Sequence, residues 1–550
     1  AVFRFSKIGV LSFSPNTPRP CTEYSGSPEK IQPAPHSIFP GMGLFGGGQE
    51  IVMKAYRWTL EMGLSLALTG LLFLTTVSAS QPTEKDIALW VKEAISEDGR
   101  IDSSKIDVTV RRGIVTLSGV AKTLAGKKYA VLEAKKIAGV QGVVDEIIVY
   151  PNARPDADIR QIIMRRFLNS ADLQANRIKV DVTAGDVTLN GQVDSWSERG
   201  EAELLATEVQ GVRSLTNRLL VPYRKERTDT AILKDVISTI QRDVYLSGLP
   251  IRASVKDGVV TLKGTVVSAY ERERAYGDAI VVDNVKAVKN DLKLGGEQRA
   301  SLRKQAPLPS DEELEKNIHD ELTQDLRVAE PYEFSVNVLN GNVTLRGTVL
   351  SIYQKQLAGK DVRNVVGVGW VDNLITVEAP WREHSAIQDD VQFEVDVDPL
   401  LDSQDIDIHV KHGVVTLSGN VNTFYQKIHA GEVASRVIGV RDVVNVLAVK
   451  RPLEFSDAAV RDRIKRRLAA NAETAHVTGR IKVDVQRGKA VLSGTVRSWA
   501  EYREAARTAL LTQGVSGLDN RLTVAGAKRT AKRTMETFCL RATARIGFAM

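Results

Sequence analysis

The sequence predicts an α+β protein made of six tandem copies of one small module, each ordered helix, strand, strand, helix, strand. Three recurring patterns predict this: a pair of glycines, an apolar helical stripe and a strand-like alternation. The glycine pair, with its members six residues apart, occurs six times, and the first members are 72, 73, 83, 72 and 75 residues apart by subtraction. A period of this size is typical of repeat proteins. The pairs are Gly113 and Gly119, Gly185 and Gly191, Gly258 and Gly264, Gly341 and Gly347, Gly413 and Gly419, and Gly488 and Gly494.

An apolar triplet at i, i+4 and i+8 precedes each glycine pair. This spacing places the three side chains on one stripe of an amphipathic helix. Ser310 and Glu313 form a capping-box pattern at the start of the fourth such helix. The triplets are Ile87/Val91/Ile95, Ile159/Ile163/Phe167, Ile232/Val236/Ile240, Leu314/Ile318/Leu322, Ile387/Val391/Val395 and Val460/Ile464/Leu468.

A predicted β-hairpin follows the first helix in every copy. Its first strand alternates apolar and polar residues, as in Ile406-x-Ile408-x-Val410, and this period of two indicates a strand with one buried face. Its turn is X-Gly, as in Asp257-Gly258, which suits a two-residue turn with positive φ. The returning strand ends at the second glycine, where we expect a bend or a close backbone approach.

A second helix and a final strand complete each copy, which predicts two helices on one face of a three-stranded sheet. The linkers are short except residues 295–308, which we expect to be a flexible joint between two halves of three modules. Copies 2 and 6 share an Arg-Arg-apolar sequence, Arg165 to Phe167 and Arg466 to Leu468. The predicted modules span 83–150, 155–222, 228–294, 309–377, 384–450 and 456–524.

The hairpin G-V-V-T-L-x-G, which stands at Gly258 to Gly264 and Gly413 to Gly419, resembles that of the BON domain, as does the final G-V-x-x-V-x-N-x-L strand. This bacterial family is named for osmotically inducible periplasmic proteins and nodulation proteins. The resemblance covers residues 83–524. It departs in copy 1, where Glu146 is interpreted as replacing the usual Asn, and in copy 3, where Asp283-Asn284 replaces the glycine. The resemblance implies a role in osmotic or envelope stress and binding to phospholipid or to envelope partners.

The two ends of the chain differ from the modules. Residues 53–80 have the form of an export signal, with an apolar run from Met62 to Val77 and small residues that allow cleavage after Ala79. We therefore expect a periplasmic protein; the alternative is an inner-membrane anchor formed by residues 62–78. Residues 1–52 have no periodic pattern, and we interpret them as disordered. We also expect translation to start at Met53, so that residues 1–52 would be an artefact of annotation. Both cysteines, Cys21 and Cys539, lie outside the modules, so no disulfide framework is predicted.

Positive charge is concentrated at the C-terminal end of the chain, whose overall net charge is +7. Copy 6 (456–524) carries 13 Lys and Arg against 7 Asp and Glu, and a basic tail (525–550) follows it. Basic residues at this density are candidate contacts for anionic lipid head groups, although a solvated helix face is the alternative. Nucleic acid is not expected, because export would separate the protein from it and no aromatic stacking platform is present. The candidate contacts are Arg461, Arg463, Lys465, Arg466, Arg467, Lys528, Arg529, Lys532 and Arg533.

The sequence contains no pattern typical of a catalytic site, so we predict no enzyme, no cofactor and no small-molecule substrate. The histidines of the modules do not occupy equivalent positions, and no metal site is predicted. Trp196 and Trp499, at matching positions before the second helix, are expected to pack. The sequence therefore predicts a protein that binds anionic phospholipid or envelope proteins, with several weak module contacts adding up through avidity. The alternative is a periplasmic chaperone-like or scaffolding protein that holds other proteins through apolar patches or sheet edges.

Overall fold

The fold was analysed in a computed structural model, which describes residues 82–222, 227–295, 308–325, 334–401, 405–450 and 455–525. All of these residues belong to one compact unit, Ser80–Met550; the other unit, Ala1–Ala79, lies outside the described residues. The predicted disordered segment, the export signal, most of the 295–308 linker and the basic tail also lie outside them. Within the described ranges, no helix has the length and apolar character needed to cross a membrane.

The predicted α+β class is confirmed, because the helix, strand, strand, helix, strand order repeats six times. The first helices of the modules are α1 (Glu84–Glu97), α3 (Asp156–Asn169), α5 (Asp229–Arg242), α7 (Asp311–Gln324), α9 (His384–Val397) and α11 (Asp457–Ala470). The second helices are α2 (Leu124–Lys135), α4 (Trp196–Thr207), α6 (Ala269–Ile280), α8 (Ile352–Asn364), α10 (Phe424–Ser435) and α12 (Trp499–Leu510).

Each sheet places the second strand in the middle, antiparallel to the first strand and parallel to the third. In module 4 the second and third strands are each divided into two short strands, and in module 5 only the third strand is divided. The first strands are β1 (Ile106–Arg111), β4 (Ile178–Thr183), β7 (Ile251–Lys256), β10 (Ser335–Leu339), β15 (Ile406–Lys411) and β19 (Ile481–Gln486). The second strands are β2 (Ile114–Ala121), β5 (Asp186–Gln192), β8 (Val259–Val266), β11 (Asn342–Arg346) with β12 (Thr348–Val349), β16 (Val414–Val421) and β20 (Lys489–Val496). The third strands are β3 (Gly142–Val149), β6 (Ser214–Leu220), β9 (Ala287–Leu294), β13 (Trp370–Asn373) with β14 (Thr376–Val377), β17 (Asp442–Asn445) with β18 (Ala448–Val449), and β21 (Gly517–Val524).

The glycines of the repeat have the two roles that were predicted. At the turn of module 3, Asp257 and Gly258 have φ of 53° and 77°, the positive pair that a two-residue turn of this type requires. At the end of the returning strand, a Cβ on Gly264 would overlap the carbonyl oxygen of Pro250, so only glycine fits. The predicted capping box of α7 is also present, since Glu313 N donates to Ser310 Oγ and Ser310 N donates to the Glu313 carboxylate.

The final strand departs from the repeat pattern in two copies. In module 3 Asn284 takes the place of the glycine and adopts its left-handed conformation, with φ of 68°, which Asn tolerates better than most residues. In module 1 the interpretation of Glu146 as the residue that replaces Asn is wrong. Strand register pairs Leu117 with Asp145, as it pairs Leu417 with Asn445 in module 5. Asp145 keeps one role of the Asn, because its carboxylate accepts from Ile147 N at 3.1 Å.

Each module has its own apolar core, and the predicted triplets lie in it. The two predicted halves of three modules are nevertheless not independent of each other, because modules that are far apart in sequence are joined by backbone contacts. The end of a first helix in one module forms an isolated antiparallel bridge with the end of a second helix in another. The bridges are Asn471 with Ile137 (modules 6 and 1), Ser170 with Val437 (modules 2 and 5), and Asp243 with Val365 (modules 3 and 4).

Each bridge is extended by neighbouring backbone hydrogen bonds. Ala138 N donates to Ala470 O at 2.8 Å and Ala472 N donates to Lys136 O at 2.9 Å, so modules 1 and 6 exchange two such bonds. Every bridge crosses from modules 1–3 to modules 4–6. The linker 295–308 therefore connects two sets of modules that also contact each other directly. In a solenoid each repeat contacts only its sequence neighbours, and these modules are not limited in that way.

The first residues of the second helices join further modules. Leu124 of module 1 lies in the core of module 2, and Phe424 of module 5 lies in the core of module 6. Trp196 and Trp499 pack against the core of module 3, from modules 2 and 6. Their predicted packing role holds, but the core they pack against belongs to another module.

Candidate functional site

The basic first helix of module 6, α11, carries five of the predicted lipid contacts, and two of its four arginines pair with acids of module 1. Arg466 Nε lies 2.9 Å from the Glu93 carboxylate, and Arg463 Nε lies 3.5 Å from that of Glu97. Both acids are on α1, and the side chain of Arg466 remains 57% exposed. These two arginines therefore serve at least in part to dock one module on another.

Arg467 is not available to a surface in this arrangement. The residue is only 6% exposed, and its Nη1 donates to the carbonyl oxygen of Thr508 at 3.3 Å and to the hydroxyl of Thr512 at 3.0 Å. Its inclusion among the lipid contacts is corrected: the guanidinium caps the end of α12 within its own module.

Arg461 and Lys465 lie on the outer side of α11. Arg461 is partly exposed and lies 3.0 Å from the carboxylate of its neighbour Asp462, while Lys465 is exposed. These two residues can meet an anionic surface without loss of an inter-module contact, and their binding to lipid stays a prediction. The other candidates, Lys528, Arg529, Lys532 and Arg533, lie outside the described residues.

Glu504 is the centre of a buried charged cluster that joins modules 1, 3 and 6. Its carboxylate lies 2.8 Å from Lys136 Nζ of module 1 and accepts from the Tyr245 hydroxyl of module 3 at 3.2 Å and from Asn471 Nδ2 at 3.2 Å. Burial alone would raise the pKa of Glu504, but Lys136 and Arg507 outweigh it and lower that pKa to about 2. The carboxylate is therefore ionised and paired, as a buried charge must be.

A second buried cluster joins modules 2 and 5 around Arg166, which is 1% exposed. Arg166 Nε lies 2.9 Å from the Glu394 carboxylate of module 5, and its other nitrogens donate to Leu205 O at 2.8 Å and to Glu208 at 3.3 Å. Burial by itself would lower the pKa of Arg166, but Glu394 and Glu208 reverse the effect and raise it. The planar guanidinium of Arg166 therefore pairs with carboxylates from two modules at the same time.

Modules 3 and 4 are joined in the same way. Arg242, at the end of α5, places Nε 2.7 Å from the Glu321 carboxylate of α7. One residue later Asp243 forms the bridge to Val365 and also pairs with Arg274 of its own module. All three pairs of modules therefore combine a backbone bridge with a buried or half-buried ion pair.

Several of the module histidines make contacts within their own module. His429 Nε2 lies 2.8 Å from the Asp398 carboxylate, with both side chains buried; burial would lower the pKa of His429, but Asp398 raises it. His384, at the start of α9, accepts a hydrogen bond from His412 N in the hairpin turn at 3.1 Å. In module 6 the equivalent acceptor is the carboxylate of Asp457. Within the described ranges no three His, Cys, Asp or Glu residues are grouped so that they could hold a metal ion.

A cavity of about 470 Å³ lies beside α7 in module 4. Its charged lining residues, Glu312, Glu315, Lys316 and His319, are all exposed. It is an open surface depression, and these groups do not converge in a shielded site of the kind that acid–base catalysis uses.

Each of the six modules matches a known domain family in sequence. The model of the BON domain family matches residues 83–151, 155–223, 228–296, 310–379, 384–451 and 456–526. The chain is 32% identical over 148 residues to "Osmotically-inducible protein Y" of Escherichia coli (strain K12), which covers 26% of this chain and 74% of that protein.

Two solved structures of CdsD, a structural protein of the type III secretion system of Chlamydia trachomatis, are also similar. They are 15% and 16% identical, cover 38% of this chain and 91% and 94% of theirs, and have a TM-score of 0.10. At that score they add nothing to an account of how the modules are arranged.

Proposed function

Because the chain belongs to the BON domain family, we propose that it is a non-enzymatic periplasmic protein of the osmotic or envelope stress response that binds anionic phospholipid surfaces. The observation that carries the proposal is the similarity to an osmotically inducible protein over 148 residues, about the length of two modules. The predicted export signal at 53–80, with cleavage after Ala79, supports the periplasmic location.

The use of buried charges supports a non-enzymatic role. In the described structure, the strongly buried acids and bases around Arg166 and Glu504 are paired across module boundaries. A catalytic acid or base has to reach a substrate, and these groups are enclosed by other modules. Their arrangement suits a scaffold whose outer surfaces do the binding.

The packing of the modules changes how avidity would operate. A row of hinged modules would bring its weak contacts to a membrane one at a time, each at the cost of ordering a linker. Modules fixed to one another present their contacts together, so less conformational entropy is lost on binding. The partly exposed Arg461 and the exposed Lys465, with the basic tail, would then add to contacts on other modules.

Vesicle sedimentation tests the proposal. Full-length mature protein is expected to sediment with vesicles that contain phosphatidylglycerol and to stay in the supernatant with pure phosphatidylcholine. Binding is expected to weaken steeply between about 50 and 500 mM salt, because exposed charges are screened. Equal sedimentation with both vesicle types, or no response to salt, would contradict the lipid proposal.

The alternative is a chaperone-like protein that holds unfolded clients, and one observation favours it. The outer face of the module 1 sheet exposes Ile114, Val144 and Ile148, with Ile148 66% exposed, and Tyr150 follows at 77%. Clustered exposed apolar residues are typical of protein-binding surfaces. Suppression of the aggregation of an unfolded outer-membrane protein, in the absence of vesicle binding, would favour this function over the first.

A further inference from the structure

The outer face of the module 3 sheet is strongly basic. Three strands, β7, β8 and β9, form this sheet, and their residues alternate between the core and solvent. Five exposed residues that point away from the core are cationic, against one acid, Asp291, at an equivalent position. We call these five residues the basic face: Arg252, Lys256, Lys263, Lys289 and Lys293.

The charges of the basic face are largely uncompensated. Lys289 Nζ lies 3.6 Å from the Asp291 carboxylate, and its side chain is still 67% exposed. The side chains of the other four make no ion pair or hydrogen bond with any other described residue. This contrasts with α11, where Glu93 and Glu97 of module 1 neutralise the arginines.

Like charges face each other directly across two strands of this sheet. Register pairs Arg252 with Lys263, and opposed like charges on neighbouring strands are destabilising. The same pair of positions holds Asp107 and Ser118 in module 1, and Lys482 and Ser493 in module 6. Among the six modules, both positions are basic in module 3 alone.

The sheet is the side of module 3 that the assembly leaves to solvent. Its helices face other modules: Arg242 pairs with Glu321 of module 4, and Lys136 of module 1 lies over the Tyr270 ring at 4.4 Å. Besides the five cations and Asp291, the outer positions of the sheet hold Val259, Ala287, Ser254, Thr261 and Thr265. The hydroxyls of the last three can donate to phosphate oxygens.

We infer that the basic face of module 3 is the surface that lies against an anionic phospholipid bilayer. This inference rests on the proposed function and names the module that contributes most to it. A pleated sheet presents its outer side chains nearly in one plane, so all five cations can reach the head groups together. The face has no aromatic platform for nucleobases and no large apolar anchor of the kind that protein interfaces use.

The test is a comparison of two variants of equal charge in the full-length protein. The first is Arg252→Gln/Lys263→Gln/Lys289→Gln/Lys293→Gln. The control, Arg111→Gln/Lys179→Gln/Lys411→Gln/Lys489→Gln, removes four exposed strand cations from the outer faces of modules 1, 2, 5 and 6. On vesicles with phosphatidylglycerol, the first variant is expected to bind about tenfold more weakly or worse, and the control within about threefold of the wild type.

Further measurements keep the inference separate from the proposed function. Because the first variant removes opposed like charges, its midpoint of thermal unfolding is expected to stay level or rise. A fall of more than a few degrees would contradict an outward-facing, uncompensated patch.

The vesicle-binding outcomes separate the two claims. If the wild type binds vesicles and both variants lose the same amount of affinity, or neither loses any, the assignment to the basic face is overturned but the lipid function is not. Failure of the wild type to bind would overturn the lipid function itself. Loss of binding to duplex DNA in the first variant, with vesicle binding intact, would assign the face to nucleic acid instead.

Discussion

Replacement of Arg166 by Met is expected to lower the free energy of unfolding by about 3–5 kcal/mol. The change removes the guanidinium that pairs with two buried acids, Glu394 of module 5 and Glu208 of module 2. Glu208 keeps Arg436 at 3.5 Å, whereas Glu394 loses its cationic partner among the described residues. The cost of a lone buried charge exceeds what the ion pair itself contributes, because the desolvation of the carboxylate is no longer offset. Urea unfolding followed by tryptophan fluorescence measures the change.

The neighbouring residue provides the control. Arg165 also reaches module 5, with Nη2 3.3 Å from the Asp390 carboxylate, but its side chain is 44% exposed. Arg165→Met is expected to cost about 1 kcal/mol or less, because an exposed ion pair contributes little. Arg166→Met should also speed the hydrogen exchange of the Ile438 amide, which donates to Asn169 O across the same interface at 3.0 Å. Equal costs for the two substitutions would show that Arg166 is not enclosed between modules.

Replacement of Glu504 by Gln is expected to cost about 3 kcal/mol near pH 7, because it leaves the buried ammonium of Lys136 without its counter-charge. The cost should depend on pH. The pKa of Glu504 is lowered from 4.5 to about 2 in the folded protein, so the carboxylate contributes its full stability above about pH 4.5. That contribution is lost as the pH falls towards 2. The stability difference between wild type and variant should therefore close across this window.

A matched acid in a surface pair serves as the control for Glu504. Glu203 of module 2 lies 2.8 Å from Lys128 Nζ of module 1, but its side chain is 37% exposed. Glu203→Gln is expected to cost about 1 kcal/mol or less. The measurement is urea unfolding of the three proteins between pH 2 and 7. A difference between wild type and Glu504→Gln that stays constant from pH 5 to 2 would contradict the assigned ion pair.

The fold of the single module could be predicted from the sequence because its signals are local. The positive φ at Gly258, the close approach at Gly264 and the stripe of α7 each depend on residues within one helix or one hairpin. Even the departure at Asn284 could be predicted, since Asn is one of the few residues that can replace glycine at positive φ.

The arrangement of the modules could not be predicted in this way. Arg466 and Glu93, or Lys136 and Glu504, are more than 360 residues apart in sequence, and no local pattern shows that they meet. A run of arginines on one helix is compatible with a lipid surface and with an acidic helix of another module. The structure shows the second for Arg463 and Arg466.

One sequence signal did point to the assembly. Modules 2 and 6 share the Arg-Arg-apolar motif, and the second arginine of each, Arg166 and Arg467, is buried near the end of a first helix that bridges to another module. Arg166 pairs with Glu394 of module 5, whereas Arg467 donates to α12 of its own module. The repeated arginine therefore indicates that this part of the helix surface is covered, but not which element covers it.

Cleavage of the folded chain between modules 3 and 4 tests the packing of the six modules most directly. A protease site placed within residues 296–307 would be cut in the native protein, and the product passed over a size-exclusion column at physiological salt. Three bridges and the ion pairs of Arg166, Arg242 and Glu504 cross this cut, so both fragments should elute together at the position of the uncut protein. Elution of two separate, folded three-module fragments would contradict the account.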